Sequence, residues 1–174
     1  FFVSCRVNLF YDQVFVKEPG TSNSSPWHQD LPYWPLHGNQ VLSFWVALDI
    51  VTAESGGLEF VVGSHLWAKR YQPFSFAGRN HFTRDPTLEL IPDIAAMRND
   101  LEIAAFDMAP GDVLVFDARI VHGAGGNRRS DVRRRGYSIR YCGDDVTFAP
   151  RKETLPLPSD PGLSWGSALD CDLF

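Results

Sequence analysis

The stretch Pro26-Trp27-His28-Gln29-Asp30 has the most chemical content in the chain. In an extended backbone successive side chains point to opposite faces, so His28 and Asp30 are expected to project together, an imidazole beside a carboxylate. One further imidazole would complete a facial triad of two histidines and a carboxylate, which leaves positions open on a ferrous ion. Taken alone the pair is a weak signal, because any hydrogen-bonded histidine and aspartate two apart have the same spelling. The sequence offers four other histidines. His122 follows the apolar residues 113–121 and precedes a glycine turn, and a strand end is a rigid mount beside a loop-lined mouth. His37 sits among Gly and Pro, His65 ends Gly-Ser-His, and His81 lies in an irregular stretch, so a ligand role is not favoured for them.

The second unusual feature is Arg128-Arg129-Ser130-Asp131-Val132-Arg133-Arg134-Arg135 in a chain of net charge −5. Charged edge strands suppress aggregation, which explains solvated arginines. Guanidinium also binds carboxylate through two parallel hydrogen bonds, which would explain one that faces inward. Alternation sets Arg133 and Arg135 on one face and Arg134 on the other. No P-loop or dinucleotide fingerprint is present.

These side chains need a scaffold. The 174 residues suit one domain, and 44% hydrophobic with 21% charged residues is ordinary globular usage. Strands are expected at residues 3–16, 41–50, 58–62, 104–108, 113–121 and 132–142, with a short helix at 92–99 and an irregular tail from Pro150. Many short strands parted by Gly and Pro, with little helix, predict a sandwich or barrel. The acidic balance, with a pI near 5.4, disfavours nucleic acid and acidic membranes as partners. No apolar run approaches the ~20 residues of a membrane span. Cys5, Cys142 and Cys171 are odd in number and lack close spacing, so free thiols in a reducing, cytoplasmic setting are expected. Phe1-Phe2-Val3-Ser4 reads like the middle of a strand, so residues 1–174 are expected to form a single domain lacking its N-terminal part.

The ordered motifs Lys17-Glu18-Pro19-Gly20-Thr21, Trp27-His28-Gln29-Asp30-Leu31, Trp45-Val46-Ala47-Leu48-Asp49, Glu54-Ser55-Gly56-Gly57-Leu58, Gly63-Ser64-His65, Pro110-Gly111-Asp112-Val113 and the run from His122 to Arg133 closely resemble the phytanoyl-CoA dioxygenase family of Fe(II)/2-oxoglutarate oxygenases. The resemblance implies a mainly β double-stranded β-helix, a cupin-like jelly roll. It implies His28, Asp30 and His122 as ligands of Fe(II). It implies Arg133, eleven residues beyond His122, as the partner of the far carboxylate of 2-oxoglutarate, with Trp45 and Gln29 shaping that pocket. The implied reaction takes O2 and 2-oxoglutarate to hydroxylate or otherwise oxidise a C–H bond of a small-molecule substrate, releasing succinate and CO2. The retained carboxylate of Asp30 argues against a halogenase. The alternative is a jelly roll that binds metal as a sensor or scaffold. Residues 66–100 carry no motif that names a substrate.

Overall fold

The computed structural model describes residues 3–76, 82–152 and 154–174, so His81 and the first two residues lie outside it. Its strands are β1 (Asn8–Lys17), β2 (Ser25–His28), β3 (Leu36–His37), β4 (Val41–Ala47), β5 (Leu58–Val61), β6 (Ile103–Ala105), β7 (Val113–Asp117), β8 (His122–Ala124), β9 (Arg134–Cys142) and β10 (Thr147–Phe148). They form two four-stranded antiparallel sheets, β1-β9-β4-β7 and β2-β8-β5-β6, plus the small pair β10-β3. The expected mainly β jelly-roll sandwich is what the chain forms.

Strand β4 shows why. Its sequence VLSFWVA is rich in β-branched and aromatic residues, and its burial alternates strictly between buried and half-buried. Val41, Ser43, Trp45 and Ala47 face inward. Such a strand fits the centre of a sheet, and it pairs with β9 on one side and β7 on the other. One apolar cluster gathers Phe10, Trp34, Leu36 and Phe148, and a second gathers Trp45, Val51, Phe60 and Phe116.

Several expectations are corrected. Residues 92–99 form successive turns rather than a helix. Ile94 is the single buried side chain there, so no apolar face exists to hold a helix down, although the Asp93 carboxylate accepts from the Ala96 N–H as a helix cap would. The run 113–121 breaks after Asp117, where the Ile120 N–H turns back to the Asp117 carbonyl and the Arg119 side chain pairs with the Asp117 carboxylate. His122 therefore opens a strand instead of closing one. In β1 the register shifts between Leu9 and Tyr11, which leaves Leu9 exposed and Phe10 buried. Cys5, Cys142 and Cys171 are free thiols.

Candidate metal centre

His28 and His122 sit directly opposite each other in the β2–β8 ladder, with ring centroids 4.2 Å apart. Strand pairing alone thus joins two residues far apart in sequence. Asp30 arrives differently. It has already left β2 and has helical backbone angles, φ −72° and ψ −45°, at the start of the 3-10 turn Leu31–Tyr33. The Leu31 N–H is fixed by the Ala118 carbonyl at 2.9 Å. This turn swings the carboxylate back, so Asp30 Oδ1 lies 3.5 Å from His28 Nε2 and 3.8 Å from His122 Nε2.

Both rings are oriented from behind. His28 Nδ1 is 2.7 Å from the Pro26 carbonyl oxygen, and His122 Nδ1 is 3.1 Å from that of Ile120. A carbonyl only accepts, so each Nδ1 carries a proton, and each ring turns its Nε2 edge toward Asp30. Burial and the neighbouring His28 push the His122 pKa down to about 4. For Asp30, burial alone would raise the carboxyl. The hydrogen bond with His28 and the charges of His122 and Arg140 outweigh it and hold the group well below the usual carboxylate range. Two imidazole nitrogens and one carboxylate oxygen, all buried, lie within 4.8 Å of one another. A cation with bonds of ~2.0–2.2 Å to N and O satisfies that arrangement. The spare protons bound to backbone carbonyls are the outer contacts metal-binding histidines use.

The triad lies in the wall of a cavity of about 1120 Å³ whose apolar lining includes Tyr33, Trp34, Trp45, Phe76 and Phe116. Trp45, expected to shape a cosubstrate pocket, is part of this wall and 3% exposed. Gln29 is not. Its amide donates to the carbonyls of Lys69 and Arg119 and accepts from the Tyr71 N–H, so it ties loops together behind the strand. Arg133 is also displaced from its expected place. It lies at the surface, its Nε 2.9 Å from Glu18 Oε2, and Arg135 pairs outside with Asp49. The inward arginine is Arg134, 2% exposed, with Nη2 donating to the Gly56 carbonyl at 2.7 Å and its guanidinium 5.4 Å from the centre of the Trp45 ring. His37 is exposed and His65 is in a short 3-10 turn, both apart from the centre.

Lys17, Ser138 and Arg140 are also part of the cavity's polar lining, Ser43 lies behind Asp30, and none of the four is a site residue in the sequence reading. Lys17 Nζ donates to the Asn23 carbonyl at 2.6 Å near Arg134. Gly56 has φ +80°, and a Cβ there would lie 2.8 Å from Lys17 Cδ, so the turn after β4 accepts only glycine without strain. The buried Nε of Arg134 has no hydrogen-bond partner. Lys17 and Arg134 together form a buried positive pole; among the described residues neither makes an ion pair with a carboxylate, and only the charge of Asp49 acts on Arg134 from nearby. The signal that would have found them is strand parity from β9: Arg134, Gly136, Ser138 and Arg140 share the inward face.

A family model, Phytanoyl-CoA dioxygenase (PhyH), matches residues 2–136. A dioxygenase named lolE1 from Epichloe uncinata is 31% identical over 126 residues, covering 72% of this chain and 42% of that protein. The crystal structure of the epimerase SnoN in complex with Fe3+, alpha ketoglutarate and nogalamycin RO superposes with a TM-score of 0.70 at 26% identity, covering 97% of this chain and 64% of that one. The alpha ketoglutarate dependent carbocyclase SnoK from nogalamycin biosynthesis gives a TM-score of 0.72 at 28% identity, covering 96% and 60%. The chain thus spans less than two thirds of the proteins it resembles.

Proposed function

Because the chain belongs to the phytanoyl-CoA dioxygenase family, we propose that it carries the catalytic core of an Fe(II)- and 2-oxoglutarate-dependent dioxygenase that oxidises a small organic substrate. The observation that carries this reading is the convergence of His28 Nε2, His122 Nε2 and Asp30 Oδ1 at one wall of a large cavity. These three would hold Fe(II), and the donor set is the one that leaves positions open for a chelating keto acid and dioxygen. Bound there, the metal and the keto acid supply the oxidising chemistry, with succinate and CO2 as co-products.

The protein's own part is positioning and exclusion of water. The ladder partners His28 and His122 present their Nε2 edges, and the backbone carbonyls of Pro26 and Ile120 hold each Nδ1 from behind. Arg134 and Lys17 receive the far carboxylate of 2-oxoglutarate; their buried charges have lost water and gain most from an anion. Trp45 lies flat beneath Arg134 and limits how far the cosubstrate can drift. The aromatic wall of Tyr33, Trp34 and Phe76 offers an apolar surface for the substrate. Tyr33 is locked there, because its hydroxyl both donates to the Phe74 carbonyl and accepts from the Phe74 N–H.

The test is anaerobic addition of Fe(II) and 2-oxoglutarate, followed by oxygen and a count of succinate. Wild-type protein is expected to bind one Fe(II) and to form succinate, slowly, even without a substrate. Asp30→Ala is expected to lose both with the fold kept. Metal binding and succinate yield equal to wild type in that variant would end the assignment.

A further inference from the structure

Arg140 is a buried charge that the cosubstrate site does not explain. It is 4% exposed, and its guanidinium carbon lies 5.4 Å from the centre of the Trp34 ring, 5.6 Å from that of Phe15 and 5.7 Å from that of Tyr11. Its buried Nε has no hydrogen-bond partner, and Nη1 makes only a long contact of 3.5 Å to the Ser138 carbonyl. Nη2 lies 3.9 Å from Asp30 Oδ2. Removing a guanidinium from water without a well-bonded carboxylate is strongly unfavourable, so a charge kept there is expected to act on something nearby.

The neighbour is Asp30, and the two carboxylate oxygens are treated differently. Oδ1 faces both imidazole Nε2 atoms. Oδ2 accepts from Ser43 Oγ at 2.9 Å and has the Arg140 guanidinium on the same side. We propose that Arg140, together with Ser43, is a positioning residue that holds Asp30 as a one-oxygen ligand. This rests on the metal assignment above and extends it.

The reason lies in coordination arithmetic. The triad uses three positions and leaves the rest to a keto acid that needs two and to dioxygen. If Oδ2 rotated inward, the carboxylate would chelate and take a position from the keto acid. Ser43 restrains that rotation by a hydrogen bond, and Arg140 restrains it by charge. The three rings around Arg140 stabilise the cation through their faces, yet offer no acceptor strong enough to draw it from Asp30. Strand β9 fixes the origin of the side chain, because Arg140 pairs with Ser43 across β4 and with Tyr11 across β1. The same two ladders thus deliver the hydroxyl, the guanidinium and one ring of the cage.

The experiment titrates Fe(II) and then 2-oxoglutarate into wild type, Arg140→Leu, Arg140→Lys and Ser43→Ala without oxygen. The readouts are Fe(II) affinity and the visible charge-transfer band of the keto-acid chelate. Loss of an outer-shell partner of a metal ligand typically costs ~10–100-fold, and here that loss is expected in keto-acid affinity, with Fe(II) affinity changed no more than about threefold. Arg140→Lys is expected to restore most of the keto-acid affinity. Ser43→Ala, which leaves the packing nearly intact, is expected to show the same sign at smaller size. Unchanged keto-acid affinity in both Arg140→Leu and Ser43→Ala would overturn the proposal, as would a parallel fall in both affinities. If wild type forms no chelate at all, the metal assignment is what fails.

Discussion

Lys17 and Arg134 differ from Arg133 in one respect that decides their chemistry, which is access to water. An exposed ion pair such as Arg133 with Glu18 is worth ~0–1 kcal/mol, so Arg133→Ala is expected to leave the 2-oxoglutarate requirement within about twofold of wild type. Hydrogen bonds to a charged group contribute ~1.5–3 kcal/mol, so Arg134→Ala is expected to raise the half-saturating 2-oxoglutarate concentration by about tenfold or more. A succinate assay across a 2-oxoglutarate series separates the two, and equal effects would refute the inward assignment of Arg134. Lys17 adds a pH signature. Burial first, and then the charge of Arg134, push its pKa down to about 8. Below that pH both folded and unfolded chains carry the proton, and the pole holds two positive charges. As pH rises past 8 the folded chain gives up the proton while the unfolded lysine keeps it to the ordinary value near 10.5. Affinity for the dianion is therefore expected to fall above pH 8, while the stability of the ligand-free chain rises over the same window. Lys17→Met is expected to flatten both profiles. A wild-type affinity that stays level from pH 7 to 9.5 would remove Lys17 from the anion site.

The elements explain which of these residues were legible in the sequence. His28, Asp30 and His122 were readable because their motif and the glycine turn after His122 are local. The β2–β8 ladder joins the two histidines, and the turn after β2 brings in Asp30. The inward arginine, Arg134, was not, because β9 inverts the usual rule. Its inward face carries Arg134, Gly136, Ser138 and Arg140, and Tyr137, Ile139 and Tyr141 point the other way, where Tyr141 packs on Phe44. A strand that lines a polar cavity puts its small and charged residues inside, so hydrophobic alternation does not pick out that face, and the count of eleven from His122 reaches the surface residue Arg133, one before the inward Arg134. Gly136 marks the correct face. A Cβ built there would lie 1.9 Å from Trp45 Cζ2, so the strand's backbone is what Trp45 rests upon. Overpacking of this kind costs ~1–3 kcal/mol, and Gly136→Ala is expected to destabilise the chain by about that much and to shift Trp45 from beneath Arg134. Gly125→Ala, where a Cβ would meet nothing within 4 Å, is the control. Urea unfolding with tryptophan emission reads both effects, and similar midpoints for the two variants would show that Trp45 does not depend on the bare backbone. The expected helix at 92–99 failed for a related reason: local spacing proposed it, but Ile94 is the one side chain it buries, against Val61, Tyr71 and Val121.

At the scale of the whole molecule the charge is distributed against its sum. The chain carries −5 overall, yet Lys17, Arg134 and Arg140 line the cavity. A dianionic keto acid would therefore be recognised by a few desolvated cations rather than by the long-range field, which would repel it. No helix among the described residues is long and apolar enough to cross a membrane. The metal and the keto acid would also be linked through the fold, because the triad lies on one sheet and the hydroxyl that supports Asp30 lies on the other. His28 and Asp30 flank the end of β2, His122 opens β8, and Ser43 beneath Asp30 belongs to β4 in the other sheet. A ligand that binds the folded chain alone stabilises it by about 2.7 kcal/mol at 100 times its dissociation constant. For a chain of this size each kcal/mol moves the thermal midpoint by ~2–4 °C, so Co(II) with 2-oxoglutarate is expected to raise it by about 5–10 °C. Neither a chelator-treated sample nor Asp30→Ala is expected to show that rise. 2-Oxoglutarate alone is expected to produce a small shift, because Arg134 and Lys17 remain but the chelating contact is missing. Scanning fluorimetry across these four conditions decides the matter: a full shift from the keto acid without metal would place its binding energy in the cationic pole and leave the triad with no share in cosubstrate capture.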